Sequence, residues 1–474
     1  MNVDATQSPP TLKNRRQSMN RRDFIRLGGL SAASAAASGA VNVLETRAQE
    51  ARQTLRVGLI GAGWYGNVDL YHLTQVCQDG TAARDIDVVA ICDVDRDSLE
   101  KTAKKVAARQ NGREPRQFTD YREALKESNL DVVLVGTPDH WHALVAIAAI
   151  EAGCDVYLQK PIGVDVRECQ AILAAARAKG AVVQVGLQRR STPHLVEAKR
   201  EIIDSGRLGR VGQVDIYSYY GGPGPAFNQE PTEVPEAFDY DFWCGPAPKL
   251  PYYPCLRRGT WRRFMEYGNG TLGDMGVHMF DMARWLLDLR YPRRIFSVAG
   301  QYVKRGGISN CSDTQTVVFD YGDLEVVWNH RTWSELPDPR HPWGGYFYGE
   351  NGLLKASVFG YDFRRYHSKE TQSVDVALEN PAYPGDKTEE GLERQCCDAI
   401  REHMRDFVAR IVDRGRPRSD VEEGAISTIC CVLGNISAKL GRALEWDEES
   451  GCVRNDDEAN ALLAREYRAP WIHP

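Results

Sequence analysis

The 474-residue chain has no Cys-x-x-Cys pair, no excess of positive charge, and no run that is both long and strongly apolar. Each absence excludes a class of protein. The twelve cysteines are scattered through a long chain, and Cys396-Cys397 and Cys430-Cys431 are vicinal. That spacing suits neither a disulfide framework nor a zinc clamp, so the thiols are read as small buried hydrophobes. Lys plus Arg is 59 against 65 for Asp plus Glu, a formal charge of −6. There is no general attraction for a phosphate backbone, and nucleic acid is excluded as a partner. The charge-free stretch 27–44 holds only Leu27, Leu30, Val41, Val43 and Leu44 as large apolar residues, too few for a stable membrane span.

What is present is a folded composition, 42% hydrophobic and 26% charged, at a length that suits two domains. The first 48 residues differ from the rest. Asn20-Arg21-Arg22-Asp23-Phe24-Ile25-Arg26 precedes the Gly, Ala and Ser stretch, and Thr46-Arg47-Ala48 follows it. Basic region, mildly apolar region and small-residue site stand in signal-peptide order, and the paired arginines resemble a twin-arginine export signal. The expectation is an exported, periplasmic protein cleaved after Ala48. That segment carries seven basic and three acidic side chains, so the remainder has a charge of −10.

Leu55-Arg56-Val57-Gly58-Leu59-Ile60 reads as a strand and runs into Gly61-Ala62-Gly63-Trp64-Tyr65-Gly66 ahead of a helical stretch. In that setting the first glycine allows a tight turn, the second admits a pyrophosphate, and the third lets helix and strand approach. A second strand, 86–92, ends at Asp93, whose carboxylate suits ribose hydroxyls and favours NAD; Arg96 nearby keeps NADP open. Further βα units follow, with strands at 131–135, 155–158 and 181–185 and helices at about 143–152 and 166–179. Alternation of this kind builds a parallel sheet whose ligand site lies at the strands' C-terminal ends. Thr137-Pro138-Asp139-His140-Trp141-His142, Gln159-Lys160-Pro161 and Gln188-Arg189-Arg190 stand at those ends, facing the nicotinamide side.

These segments, with Gly273-Asp274-Met275-Gly276-Val277-His278, Phe238 to Pro248 and the closing Tyr467-Arg468-Ala469-Pro470-Trp471, resemble the glucose-fructose oxidoreductase, inositol dehydrogenase and MocA (Gfo/Idh/MocA) family, in its exported branch. The resemblance implies an α/β fold: a Rossmann dinucleotide-binding domain, 49–188, then an α/β domain, 189–474, with an open, largely antiparallel sheet that pairs in dimers or tetramers. It implies Lys160, Asp274 and His278 as the catalytic set and a cis Lys160-Pro161 bond. The cofactor residues it suggests are Gly61, Gly63, Trp64, Tyr65, Gly66, Asp93, Thr137, Pro138, His140, His142, Gln159, Lys160 and Gln188. One departure stands out: Gln159 occupies the position where the family usually has Glu.

The chemistry also follows from the residue types. Oxidising a secondary alcohol needs a base within reach of the hydroxyl, and His278 titrates near neutrality. Asp274, four residues earlier, falls on the same face if 276–288 is a helix, where it could orient the imidazole or hold a second hydroxyl. Lys160 would stabilise a developing alkoxide. His140 and His142 are expected to shape the nicotinamide pocket, with no metal, since no Cys or carboxylate completes a ligand set.

From Tyr219 to Arg263 the chain is rich in Gly, Pro and aromatics, including Tyr220, Phe227, Phe238, Trp243 and Trp261. Such a stretch is a functional cover or an oligomer contact, its aromatics either a sugar-binding wall or a packing or interface surface. Arg257, Arg258, Arg262 and Arg263 end it as an anion site or a solvated face. Alternating runs at 314–319 and 324–328 read as antiparallel strands, and 392–444 as two helices split near Gly415-Arg416-Pro417. The leading functional expectation is a nicotinamide-dependent oxidoreductase acting on a carbohydrate. Export makes a tightly bound, internally recycled cofactor the natural arrangement. An NAD-dependent glycoside hydrolase working by transient oxidation and elimination, and a nucleotide-containing binding protein without activity, are the alternatives.

Overall fold

The computed structural model describes residues 54–219, 228–303, 305–335 and 338–474. The signal-like segment 1–48, with Tyr220 and Phe227 of the aromatic stretch, lies outside the described residues, as does the side chain of Arg258. Among the described residues no helix is long and apolar enough to cross a membrane.

Short Val- and Ile-rich runs buried on both faces make the first sheet. Val132–Val135 and Asp155–Leu158 are buried at every position, the pattern of strands covered on two sides. Strands β1 (Leu55–Ile60), β2 (Ile86–Cys92), β3 (Arg116–Phe118), β4 (Val132–Val135), β5 (Asp155–Leu158) and β6 (Val183–Val185) are all parallel and stand in the order β3-β2-β1-β4-β5-β6. The crossover helices are capped by side chains the sequence supplies. Asp95 accepts from the Asp97 and Ser98 amides to start α2 (Arg96–Arg109), and Asp165 accepts from the Glu168 amide to start α5 (Val166–Lys179). The remaining helices of this half are α1 (Trp64–Gln78), α3 (Tyr121–Ser128) and α4 (His142–Glu151).

The second sheet has ten strands: β7 (Val211–Tyr219), β8 (Arg294–Gly300), β9 (Thr314–Asp320), β10 (Glu325–Arg331), β11 (Trp343–Gly349), β12 (Gly352–Ser357), β13 (Gly360–Arg365), β14 (Gln372–Asp375), β15 (Leu444–Asp447) and β16 (Cys452–Val453). Their order is β14-β13-β12-β11-β7-β10-β9-β8-β15-β16, antiparallel throughout except for the parallel pair β7 and β10. Alternation buries one face only: Val317 and Phe319 on β9 and Val326 and Trp328 on β10 are buried between more exposed neighbours. Helices α6 (Val277–Leu286) and α8 (Val421–Leu440) belong to this half. Helix α6 is shorter than the 276–288 expected, because a wide π-type turn, Leu272–Gly276, precedes it.

Between these two helices in the chain, α7 (Cys397–Asp413) returns to the first sheet. Its Ile400, Met404, Phe407 and Ile411 form one helical stripe and join Val57, Leu59, Leu73 and Leu134 in a shared core. All twelve cysteines are free thiols, ten of them buried, in keeping with their reading as small hydrophobes.

Candidate active site

The glycine loop fits a dinucleotide by its shape. A Cβ on Gly61, where φ is +94°, would sit 2.5 Å from the Gly136–Thr137 backbone, and one on Gly66 would sit 2.0 Å from the Gly61 carbonyl. A Cβ on Gly63 would point into open space at the start of α1, the side from which a pyrophosphate approaches. Asp93 ends β2 beside this loop. Its two oxygens accept the Ala62 and Asp95 amides at 2.7 and 2.8 Å, which ties the loop to the strand end and leaves each oxygen a further lone pair for a ribose hydroxyl. Burial raises this carboxyl to about 6.

The cleft over the loop encloses about 470 Å³, with Phe238, Phe242, Trp243 and Trp261 among its walls. Segments of the second half close it on both sides. Arg257 makes a bidentate pair with Asp95 at 2.6 Å and reaches Asp97 at 2.6 Å. Across the cleft Lys105 and Arg109 meet Glu389 at 3.0 and 2.5 Å, the Trp64 indole donates to the Gly391 carbonyl at 2.6 Å, and the Tyr65 hydroxyl donates to Glu393 at 2.8 Å. Arg257 is therefore neither a solvated arginine nor an open anion site. Arg96 donates to the Glu236 carbonyl.

Trp64, Tyr65, Gly136, Thr137 and Arg262 are shared by this cleft and an adjoining cavity of about 580 Å³. Lys160 enters the cavity just past β5, at the cis Lys160-Pro161 bond. Its ammonium donates to Asp274 Oδ1 at 2.7 Å and to the Asp274 carbonyl at 2.8 Å. Burial alone would raise Asp274, but the charges of Lys160 and Arg262 outweigh it and hold the carboxyl below its usual range. His278 faces the same cavity from α6 with Nδ1 unpartnered. Burial, with the charges of Lys160 and Arg189, pushes this imidazole well below its usual value, so it is neutral at pH 7. Asp274 thus fixes Lys160 and not the imidazole, because the wide turn carries its carboxylate toward the β5 end.

The other expected residues divide by where the turn after β4 sends them. His142 lies 2.6 Å from the Pro161 carbonyl and 3.0 Å from that of Thr137, holding two strand-end loops together at the cavity wall. His140, expected at the nicotinamide pocket, lines neither space. Its Nε2 is 2.8 Å from the Trp243 carbonyl and its ring packs on Trp243 and Tyr267, because the aromatic segment offers it a buried acceptor. Pro138 lines the nucleotide cleft. Gln159 lines the catalytic cavity, donates to Asp69 Oδ2 at 2.6 Å and accepts the Lys160 amide at 3.3 Å. Gln188 stands behind Tyr65, donating to its hydroxyl at 3.3 Å, and lines neither space. Asp139 and Arg189, from the segments expected at the strand ends, and Arg262, from the arginine group, also line this cavity, and Glu393 joins them without a sequence signal. The aromatics 238–267 pack into a core of their own, and Phe238, Phe242, Trp243 and Trp261 wall the nucleotide cleft.

Residues 55–187 match the model of the Gfo/Idh/MocA oxidoreductase family, NAD-binding Rossmann fold, and 198–301 match its C-terminal alpha/beta domain, together half of the chain. The chain belongs to this family. Inositol 2-dehydrogenase of Salmonella typhimurium is 30% identical over 158 residues, 33% of this chain and 44% of that protein. The chain thus spans less than half the length of that relative. Levoglucosan dehydrogenase of Pseudarthrobacter phenanthrenivorans is 30% identical over 236 residues, 50% of this chain and 52% of that protein. A glycosyl hydrolase family 109 protein of Shewanella pealeana is 30% identical over 180 residues, 33% of this chain and 37% of its own length. The solved structure of a levoglucosan dehydrogenase in complex with NADH and levoglucosan shares the fold, with a TM-score of 0.63 at 18% identity over 83% of this chain and 99% of that one.

Proposed function

We propose that this protein is an NAD-dependent oxidoreductase of a sugar or polyol hydroxyl, with the nucleotide held tightly and restored within each cycle. The observation that carries the reading is Lys160, pinned by Asp274 at 2.7 Å in a cavity that opens from the glycine-loop cleft. Inositol and levoglucosan dehydrogenases among the relatives support the substrate class. When bound, the nicotinamide supplies a hydride acceptor. The Lys160 ammonium spends two donors on Asp274 and keeps a third for the hydroxyl oxygen, where it stabilises negative charge as it develops. Neutral His278 lines the same cavity and is the base placed nearest to orient that hydroxyl. The second-half seams over the cleft support tight retention. Engagement of Arg96 by the Glu236 carbonyl and the acid at Asp93 support NAD over NADP.

The experiment is mass spectrometry of the nucleotide that co-purifies with the protein, followed by addition of inositol, levoglucosan and D-glucose while nicotinamide absorbance is read. Bound NAD that becomes reduced supports the reading. A protein that releases its nucleotide freely, or whose nucleotide is untouched by the panel, counts against it.

Hydrolysis of a glycoside through transient oxidation is a second reading, favoured by the family 109 relative and by the closed cleft. Release of aglycone with no net change in nicotinamide redox state would select it. We further propose export of the folded protein through the 1–48 signal, and pairing through the open face of the second sheet, where Phe296 and Val298 of β8 are exposed. Cell fractionation and light scattering of the purified protein test these two proposals.

A further inference from the structure

Oxidation of an alcohol releases a proton, and the residues expected to handle it are poorly suited to keep it. Lys160 is held as an ammonium by Asp274. His278 disfavours a charge, being buried near Lys160 and Arg189. Burial holds His142 down to about 4 against the two backbone carbonyls at its ring nitrogens, and Glu393 accepts the Tyr65 hydroxyl. One other acid lines the cavity. Asp139 is 3% exposed, and its carboxylate accepts no hydrogen bond from any described residue. A buried carboxylate left this way is costly unless water or a ligand hydroxyl completes it. Its position is set by close packing: a Cβ on Gly268 would lie 3.2 Å from Asp139 Oδ2.

We propose that Asp139 is the group that takes up the proton released when the substrate hydroxyl is oxidised, a role that rests on the dehydrogenase reading above. The hydroxyl O–H bond breaks and its proton passes through one water to an Asp139 oxygen, where a carboxylic O–H bond forms, while the Lys160 ammonium holds the charge developing on the substrate oxygen. The electron pair left on oxygen becomes the second bond of the carbonyl as the C–H pair leaves as hydride to oxidised nicotinamide. Lys160 ends as it began, an ammonium, and Asp139 ends neutral. In the return direction the same carboxylic acid gives the proton back.

The electrostatics agree. Burial raises the Asp139 carboxyl to about 7, with Arg262, Lys160 and Arg465 opposing and Asp274 adding to the rise. These groups come from the loop before the wide turn, the β5 end, the C-terminal tail and the turn itself, and they are the charges that face it. A base poised near neutrality is suited to accept and return a proton at that pH.

The test uses the full protein loaded with NAD and the variants Asp139→Asn and Asp139→Glu. Infrared difference spectra over pH 5–9 need no substrate. A protonated-carboxyl band that titrates near neutrality and is missing from Asp139→Asn supports the assignment. If subtracting the Asp139→Asn spectra, which cancels the bands of Asp93 near 6 and Asp69 near 8, leaves no protonated-carboxyl band titrating near 7, the assignment is overturned. With inositol, levoglucosan or D-glucose, the single-turnover rate should rise with pH through about 7 in the natural protein. Asp139→Asn should lose that limb and about 100-fold in rate at pH 7 with nucleotide content unchanged, and Asp139→Glu should keep a displaced limb. A limb and rate in Asp139→Asn equal to the natural protein's overturn the proposal while leaving the dehydrogenase reading intact. Failure of the natural protein to reduce its nucleotide with any of the three sugars, despite a titrating band, overturns the dehydrogenase reading and the role with it.

Discussion

The two joined spaces are built on opposite principles. Around the nucleotide cleft, the charges named above are spoken for, in pairs that cross between the halves of the chain: Arg257 with Asp95 and Asp97, Lys105 and Arg109 with Glu389, and Lys101 with Glu390. Around the Lys160 cavity, Lys160 and Asp274 are paired, but among the described residues the Asp139 carboxylate accepts no hydrogen bond, and His278 Nδ1 and Arg189 Nε are buried in the wall without one. One wall is finished and the other awaits a ligand. On the proposed function the first arrangement serves to retain the nucleotide and the second to meet the reacting hydroxyl.

Removing the cation should separate the two most sharply. Lys160→Ala should lower single-turnover reduction of bound nicotinamide by about 1,000-fold, the scale of losing a preorganised donor. Nucleotide content, measured after denaturation, should stay at the natural level. Asp274→Asn leaves the ammonium in place with a weaker anchor, and a loss of about 100-fold is expected in the same assay, again with nucleotide retained. The opposite profile is expected from the finished wall. Arg257→Ala removes a bidentate pair at the seam, and nucleotide release, followed by fluorescence after dilution, should quicken by about 10-fold while the rate of hydride transfer is unchanged. If Arg257→Ala slowed chemistry and left release alone, the division of labour would be wrong.

The smallest effect lies behind both spaces. Burial raises the Asp69 carboxyl to about 8, and Gln159 only partly offsets this by donating to it. Because the folded value lies above the unfolded one, this group's contribution to stability is complete below about pH 4 and is lost as pH rises through 8. Asp69→Asn stays neutral at every pH. Its melting temperature should therefore exceed that of the natural protein by a margin that is absent near pH 4 and grows by on the order of 1 kcal/mol or more toward pH 8.

The cofactor half was legible because its chemistry is local. Strand, glycine turn and helix follow one another within Leu55–Gln78, and burial of Val132–Val135 on both faces is written as an unbroken apolar run. That Lys160, Asp274 and His278 meet in one cavity was legible as residue types, yet the partner of Asp274 was not. Four residues on a regular helix predict a meeting with His278, whereas the wide turn Leu272–Gly276 swings the carboxylate to Lys160. The tight turn Asp139–Trp141 hides more. Successive side chains there diverge, so Asp139 enters the catalytic cavity, His140 the aromatic core and Trp141 the nucleotide cleft, and no periodicity tells them apart. Arg257 and Asp95 are 162 residues apart, and the parallel pairing of β7 with β10 joins residues such as Gln213 and Glu325, 112 apart. Contacts of that separation leave no mark in local sequence.

The return of α7 to the first sheet has a consequence for how this architecture can be cut and recombined. A gene fragment ending soon after β6 would encode every strand of the dinucleotide sheet but would leave Leu59, Leu73 and Leu134 without the Ile400, Met404 and Phe407 that cover them. The nucleotide half is therefore no cassette to be lifted out or grafted at a single junction. A working chimera needs two crossovers, one after β6 and another on either side of Cys397–Asp413, so that the helix travels with the sheet it completes.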